Sequence, residues 1–289
     1  MTTVNHFTYG WITPALAYLL SYLGSVSGLA ATARARGTSD RGRRRRWLIL
    51  AACAIGGTGI WAMHFMAMIG FTVDGSDVRF DLAITVASWL TAVIVVGIGL
   101  FIVGYGPRSV PRILAAGLFT GLGVAGMHYA GMSAMRLGGS VSYDHVRVAL
   151  SVLIAVVAAT AALWFTVSVG RGRWIAVSAA IMGVAVVGMH YTGMSAVSVH
   201  MHPEAAAPVA GLPAIDYVLP MLLFVLFVLI TLLAAVLGED AKDGMAAEPW
   251  TVTPAQSRTP AQSTVPPAAQ GLGARPTRTV ASGRWGTGR

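Results

Sequence analysis

Seven apolar runs, each of 21 residues or more, divide the first 237 residues: 9–32, 47–71, 82–105, 113–135, 146–169, 174–199 and 217–237. Each can cross a hydrocarbon core of about 30 Å at about 1.5 Å of rise per residue. The pattern therefore predicts an all-α, polytopic membrane bundle of about seven transmembrane helices over residues 1–237. Beyond Leu237 the apolar periodicity stops, and residues 238–289 are rich in Pro, Ala and Thr. Such a composition buries too little surface to offset its ordering entropy, so this stretch is expected to be a disordered tail.

Within that pattern one motif is written three times. Aligned on His64, His128 and His190, each copy has Gly seven residues before (Gly57, Gly121, Gly183), Met one before (Met63, Met127, Met189), an aromatic one after (Phe65, Tyr129, Tyr191), a small residue three after, and Met four after (Met68, Met132, Met194). The histidines are 64 and 62 residues apart, so the repeat unit is a duplicated pair of helices.

Charge sets the orientation. Arg34, Arg36, Arg41 and Arg43 to Arg46 place seven of the 20 Lys+Arg between the first two runs, and Arg108, Arg112, Arg171 and Arg173 fall on the same side. The other side holds Arg79, Arg136 and Arg147 together with Asp74, Asp77, Asp81, Asp144, Glu204 and Asp216. Lys and Arg resist translocation, so the amino terminus is expected outside and the carboxyl terminus in the cytoplasm. The overall charge of +9 is concentrated in the first basic loop and the tail. The lipid bilayer and its anionic inner leaflet are therefore the expected partner, and nucleic acid is not. Six more of the 20 Lys+Arg lie in the tail. The first ten residues carry no Lys or Arg, which predicts no removable signal peptide. A single cysteine, Cys53, permits neither an intrachain disulfide nor a CxxC site.

The composition agrees: 55% of the chain is hydrophobic and 11% charged, with a mean hydropathy of +0.68, far above that of a soluble domain. In such a chain the histidines stand out. They lie 17, 15 and 16 residues from the starts of runs two, four and six, or roughly 23 to 26 Å up helices of one direction, near the outer face. Residues four apart share a helix face, so each histidine presents its imidazole beside a thioether: His64 with Met68, His128 with Met132, and His190 with Met194. Met135, seven beyond His128, is expected on the same face. Met63, Met127 and Met189 sit about 100° round the helix. Imidazole suits copper, zinc, iron and nickel, and thioether sulfur favours Cu(I). A histidine and methionine set with no thiolate or carboxylate at that depth points to copper. The glycines of the repeat are read as small-residue helix packing, and His6, ahead of the first span, is a possible accessory ligand. His200, Met201 and His202 sit above run six and could capture metal there.

These residues resemble the MHYT domain. Met127-His128-Tyr129 and Met189-His190-Tyr191-Thr192, with the variant Met63-His64-Phe65-Met66, are similar to its motif, and the resemblance extends over residues 6 to 237. It implies a bacterial multi-pass cell-membrane sensor module, proposed to hold copper through His and Met and to respond to oxygen, CO, NO or redox state. Members are often fused to cyclic di-GMP turnover domains. Residues 238–289 resemble no output domain, so a stand-alone member served by a separate cytoplasmic effector protein is expected. No catalytic triad, paired carboxylates within a span, phosphate loop or nucleotide fingerprint is visible, and an enzyme is not expected. Three other functions fit parts of the pattern. Haem-based electron transfer would need paired histidines. A copper transporter would need ligands stacked through the membrane. A structural bundle would need no metal.

Overall fold

The computed structural model describes residues 4–201 and 209–247. Seven helices long and apolar enough to span a membrane account for all seven runs: α1 Ile12–Gly37, α2 Arg41–Met68, α3 Leu82–Gly104, α4 Val110–Ser133, α5 His145–Ser168, α6 Gly172–Met194, and α7, whose apolar part is Ala214–Gly238. The chain is a multi-pass membrane protein. Three helical hairpins, α1–α2, α3–α4 and α5–α6, form a closed ring in which α6 returns to α1. Outside that ring α7 lies against α2 and α3: the Phe224 ring meets Trp89 edge-on at 5.4 Å and fills the space left by Gly57.

One end of the ring is closed by short antiparallel strands that the hydropathy pattern does not reveal. β1 (Val4–Asn5) pairs with β2 (Thr72–Val73), β3 (Arg79–Phe80) with β4 (Met135–Arg136), and β5 (Gly139–Tyr143) with β6 (Val197–Met201). A further strand, β7 (Leu212–Pro213), adds to the free side of β3. Each of the first three pairs joins the residues before a hairpin to those after it. The same threefold logic appears in single hydrogen bonds. The carbonyls six residues after each histidine, those of Gly70, Ala134 and Ala196, accept the N–H groups of Thr8, Asp81 and Asp144 at 3.1, 2.8 and 2.9 Å.

Asp81 and Asp144 then start α3 and α5 as N-caps, accepting the backbone N–H of Ile84 at 3.1 Å and of Arg147 at 2.9 Å. Asp81 also pairs with Arg136 at 3.1 Å. The Ile84 N–H, and after it Arg136, hold the Asp81 carboxyl below its ordinary value. Because the folded-state value is depressed, the stabilisation is present above the unfolded value of about 3.9 and is lost as pH falls through the folded value. Protection of the Ile84 amide against exchange, taken relative to the intrinsic rate at each pH, is therefore expected to fall on acidification below about pH 4. Asp81→Asn should flatten that pH response, and an unchanged acid response in the variant would count against the assignment.

Four expectations are corrected. The seven arginines do not form a loop: α1 continues through Arg34 and Arg36 to Gly37, and α2 begins at Arg41, leaving three residues between them. Asp40 caps α2 by accepting the Gly42 N–H at 2.8 Å, so the charges are carried on helix ends that extend beyond the apolar windows. The sixth span ends at Met194 and not at Val199, since 197–201 turns into β6. Met135 has left α4 and pairs with Phe80 across β3 and β4. At the other terminus the helix of α7 runs on to Ala247, so Leu237 marks the end of the apolar run and not of the helix. The rest of the expected tail, 248–289, lies outside the described residues, as do His202 and Glu204.

Within α2 the segment Cys53–Ala62 is wound as a π-helix, in which each N–H reaches one residue further back than in an α-helix. Its glycines are what α1 and α3 approach. A Cβ on Gly24 of α1 would lie 2.5 Å from the Ala54 carbonyl oxygen and 2.6 Å from the Gly59 Cα, and one on Gly56 would lie 2.6 Å from the Ala92 carbonyl oxygen. This segment is deeply enclosed, with Ala54 to Ala62 all buried.

Candidate metal centre

The three histidines come from α2, α4 and α6, one per hairpin, and meet at a single point beneath the strands. Their imidazole centroids form a nearly equilateral triangle with sides of 5.0, 5.0 and 5.2 Å, and the ring planes are inclined at 72 to 87° to one another. The Nδ1 atoms point inwards: His64 to His190 at 3.0 Å and His128 to His64 at 3.3 Å. One ligand nitrogen from each falls within 4.8 Å of the others. All three side chains are buried at 1% exposure, so solvent does not supply their missing partners.

Hydrogen-bond accounting shows what this cluster lacks. A neutral imidazole has one N–H and one lone pair. Whatever tautomers are chosen, three Nδ1 atoms facing one another cannot each be both donor and acceptor. The Nε2 atoms of His64 and His128 are buried with no hydrogen-bond partner among the described residues. Leaving such groups unsatisfied costs about 1–3 kcal/mol apiece. A cation that accepts the inward lone pairs resolves the conflict, and the spacing suits one: three nitrogens at about 2.0–2.1 Å from a tetrahedral ion lie about 3.3 Å apart. The residues present fit a metal ion.

Two glycines set the position of the rings. A Cβ on Gly131 would lie 2.5 Å from Nε2 of His64, and one on Gly193 would lie 2.5 Å from Nε2 of His128. Each imidazole thus rests against the next motif helix three residues after that helix's own histidine. The third equivalent position is Ala67, which is buried. The small residue at this offset is visible in the sequence, but its reading as helix packing missed that it faces a ring. Gly126 and Gly188 differ: nothing lies within 4 Å of a Cβ built on either.

The six motif methionines, Met63, Met68, Met127, Met132, Met189 and Met194, are all buried, with exposures of 1 or 2%. His6 is not among the converging nitrogens. Its ring packs on Phe71 at 5.4 Å, its Nδ1 is buried without a hydrogen-bond partner, and burial lowers its pKa. His200 stands opposite Ser140 on β6 and is exposed, and His145 is exposed at the start of α5. Neither joins the cluster.

The departure of the first copy from the motif has a local cause. In the second copy the Tyr129 hydroxyl bonds Ser151 Oγ at 2.7 Å. The corresponding serine for the first copy is Ser88, seven residues after the Asp81 cap as Ser151 is after Asp144. Ser88 is already taken by the Trp61 indole N–H at 3.1 Å. A hydroxyl at residue 65 would find that partner occupied. Phe65 instead packs among Trp61, Phe80 and Tyr217, with centroids at 4.9 to 5.7 Å.

The family model MHYT, described as a bacterial signalling protein N terminal repeat, matches residues 57–116 and 121–179. The chain is 37% identical over 195 residues to the bifunctional diguanylate cyclase/cyclic di-GMP phosphodiesterase MucR of Pseudomonas aeruginosa, covering 65% of this chain and 28% of that protein. It is 36% identical over 200 residues to the cyclic di-GMP phosphodiesterase NbdA of the same organism, covering 67% and 25%. It is 27% identical over 202 residues to the signalling protein YkoW of Bacillus subtilis, covering 68% and 25%. In each case the chain spans less than a third of the relative's length. No solved structure matches it. With two repeats matched by the family model, a third copy of the motif at 183–194, and the three motif histidines brought to one point, the chain belongs to the MHYT family of signalling proteins.

Proposed function

We propose that this chain is the sensory membrane part of a signalling system in the bacterial cell membrane, and that His64, His128 and His190 hold a copper ion at the outer side of the ring. The observation that carries the proposal is the buried convergence of three Nδ1 atoms at 3.0 and 3.3 Å. Imidazole alone would suit several metals. The thioethers of Met68, Met132 and Met194, one turn beyond each histidine, favour Cu(I) over zinc. A bound copper would supply a redox-active centre able to take a diatomic ligand such as oxygen, CO or NO. The protein's contribution is to hold three neutral imidazoles in a dry site and to exclude hard oxygen donors from it. With centroids 5.0 Å apart, the rings leave no room for a macrocycle between them, which favours a single ion over haem. His6 is an accessory ligand only if its segment moves in.

Sensing requires that the ligand bind two arrangements of the helices differently. The ring offers a direct route, because each histidine belongs to a different hairpin and each hairpin turns at the cytoplasmic side. The response is read there by a separate effector or an attached domain, and these membrane residues themselves do no chemistry. Cyclic di-GMP turnover, named for MucR and NbdA, is the output we assign to that effector.

The test is metal content by mass spectrometry, with helicity by circular dichroism, on protein reconstituted with Cu(I) or with Zn(II). Wild type should retain copper in preference to zinc, and His190→Ala should lose it with unchanged helicity. Zinc retained in preference to copper would overturn the metal assignment, and neither metal retained would overturn the centre.

A further inference from the structure

At the opposite end of the ring a polar cavity of about 160 Å³ opens between α1, α2, α3, α5 and the α3–α4 turn. Among its lining residues are Thr32, Arg36, Arg44, Gly104, Arg108 and Thr166. Its volume is roughly ten times what one water requires. Three guanidinium groups face it, and among the described residues no carboxylate is paired with Arg36, Arg44 or Arg108. On this side Asp40 is paired with Arg43, three residues on.

The arginines are held in place. One Nη of Arg36 donates to the Val169 carbonyl, while its other Nη is buried with no partner. Arg44 donates from Nε to the Ala35 carbonyl at 3.2 Å and lies over the Tyr105 ring at 5.5 Å. Arg108 is exposed at the mouth and close enough to Arg36 for the two charges to repel. The hydroxyls of Thr32 and Thr166 give their protons to the Leu29 and Leu163 carbonyls at 2.9 and 2.7 Å, so the donors left over belong to arginine. A Cβ on Gly104 would lie 3.0 Å from Cδ1 of Leu48, and the Arg112 guanidinium occupies the position a Cβ on Gly106 would take.

Like charges gathered around a partly buried cavity are costly without a counter-ion. The planar guanidinium fork matches the oxygens of phosphate. Basic pockets between membrane helices at the cytoplasmic side also lie where phospholipid headgroups are found. We propose that this cavity binds a phosphate oxyanion, held by Arg36 and Arg108 with Arg44 behind them. The phosphate is supplied either by an anionic phospholipid headgroup or by free phosphate. The cavity shares Leu100 and Thr166 with an apolar cavity of about 50 Å³ that reaches Met189, the residue before His190.

The full chain, purified in phosphate-free detergent, is titrated with inorganic phosphate and, separately, with phosphatidylglycerol in mixed micelles against a phosphatidylcholine background. We expect saturable binding of one equivalent of at least one probe, weakened about tenfold or more by Arg36→Gln and by Arg108→Ala. Arg45→Ala, an exposed arginine outside the cavity, should bind as wild type does. Saturation by inorganic phosphate identifies a free oxyanion site, and saturation by phosphatidylglycerol alone identifies a headgroup site. Because Arg108 is exposed, its variant should fold even if Arg36→Gln does not. The proposal is overturned if neither probe saturates, if Arg108→Ala binds as wild type does, or if Arg45→Ala weakens binding as much as Arg108→Ala.

Discussion

Gly24→Ala is expected to destabilise the bundle by about 3 kcal/mol, at the upper end of what overpacking usually costs. The added methyl group would meet backbone: the Ala54 carbonyl oxygen at 2.5 Å, the Gly59 Cα at 2.6 Å and the Gly59 nitrogen. A side chain in the way can change rotamer, but these atoms can move only if α1 and the π-wound segment of α2 separate. That separation would open the contact on which the first hairpin closes. Gly126→Ala provides the contrast. Its Cβ meets nothing, so the loss of backbone freedom in the unfolded chain should make it neutral or stabilising by about 0.5–1 kcal/mol. Unfolding midpoints in mixed detergent micelles, measured side by side, decide the matter. A wild-type midpoint for Gly24→Ala would show that the two helices are not in the contact described.

The second large effect is on the proposed metal centre. Gly131→Ala would place a methyl group 2.5 Å from Nε2 and 3.1 Å from Cδ2 of His64. The imidazole is rigid and must retreat by close to an ångström, carrying its Nδ1 away from His190 and His128. Binding sites tolerate displacements of about half an ångström, so metal retention should fall at least tenfold while the helices persist. Gly193→Ala should do the same through His128. Ala67→Gly, which removes a methyl group from the third equivalent position, should leave retention nearly intact. Metal content at fixed helicity separates these variants, and equal retention in all three would mean that the glycines only pack helices.

These two cases also mark where the sequence was legible. Seven spans and the matched depth of His64, His128 and His190 follow from hydropathy and spacing, because those properties are written locally. The convergence of the histidines was inferable from the threefold repeat. What Gly131 touches was not: a glycine carries no side chain to advertise its neighbour, and its partner lies on another hairpin. The π-wound stretch was hidden for a related reason, since Cys53–Ala62 is apolar whether each N–H bonds the carbonyl four or five residues back. The strands were missed because two to five residues are too few for an alternating pattern to emerge. Helical continuation through Arg34 and Arg36 was missed because charge ends an apolar window without ending a helix; arginine is itself a good helix former.

The order in which the three hairpins close has a consequence for how the protein is made. Each hairpin can enter the bilayer as a unit, and its strand pair can form as soon as its ends reach the far side. The nitrogen cluster needs His190, from the last of the three. A chain halted anywhere before α6 therefore has an inserted, partly capped bundle but no place for an ion. On the proposed metal reading, uptake of the ion would be the final event of biogenesis, and a loaded centre would certify that all three hairpins have been delivered and the ring is shut.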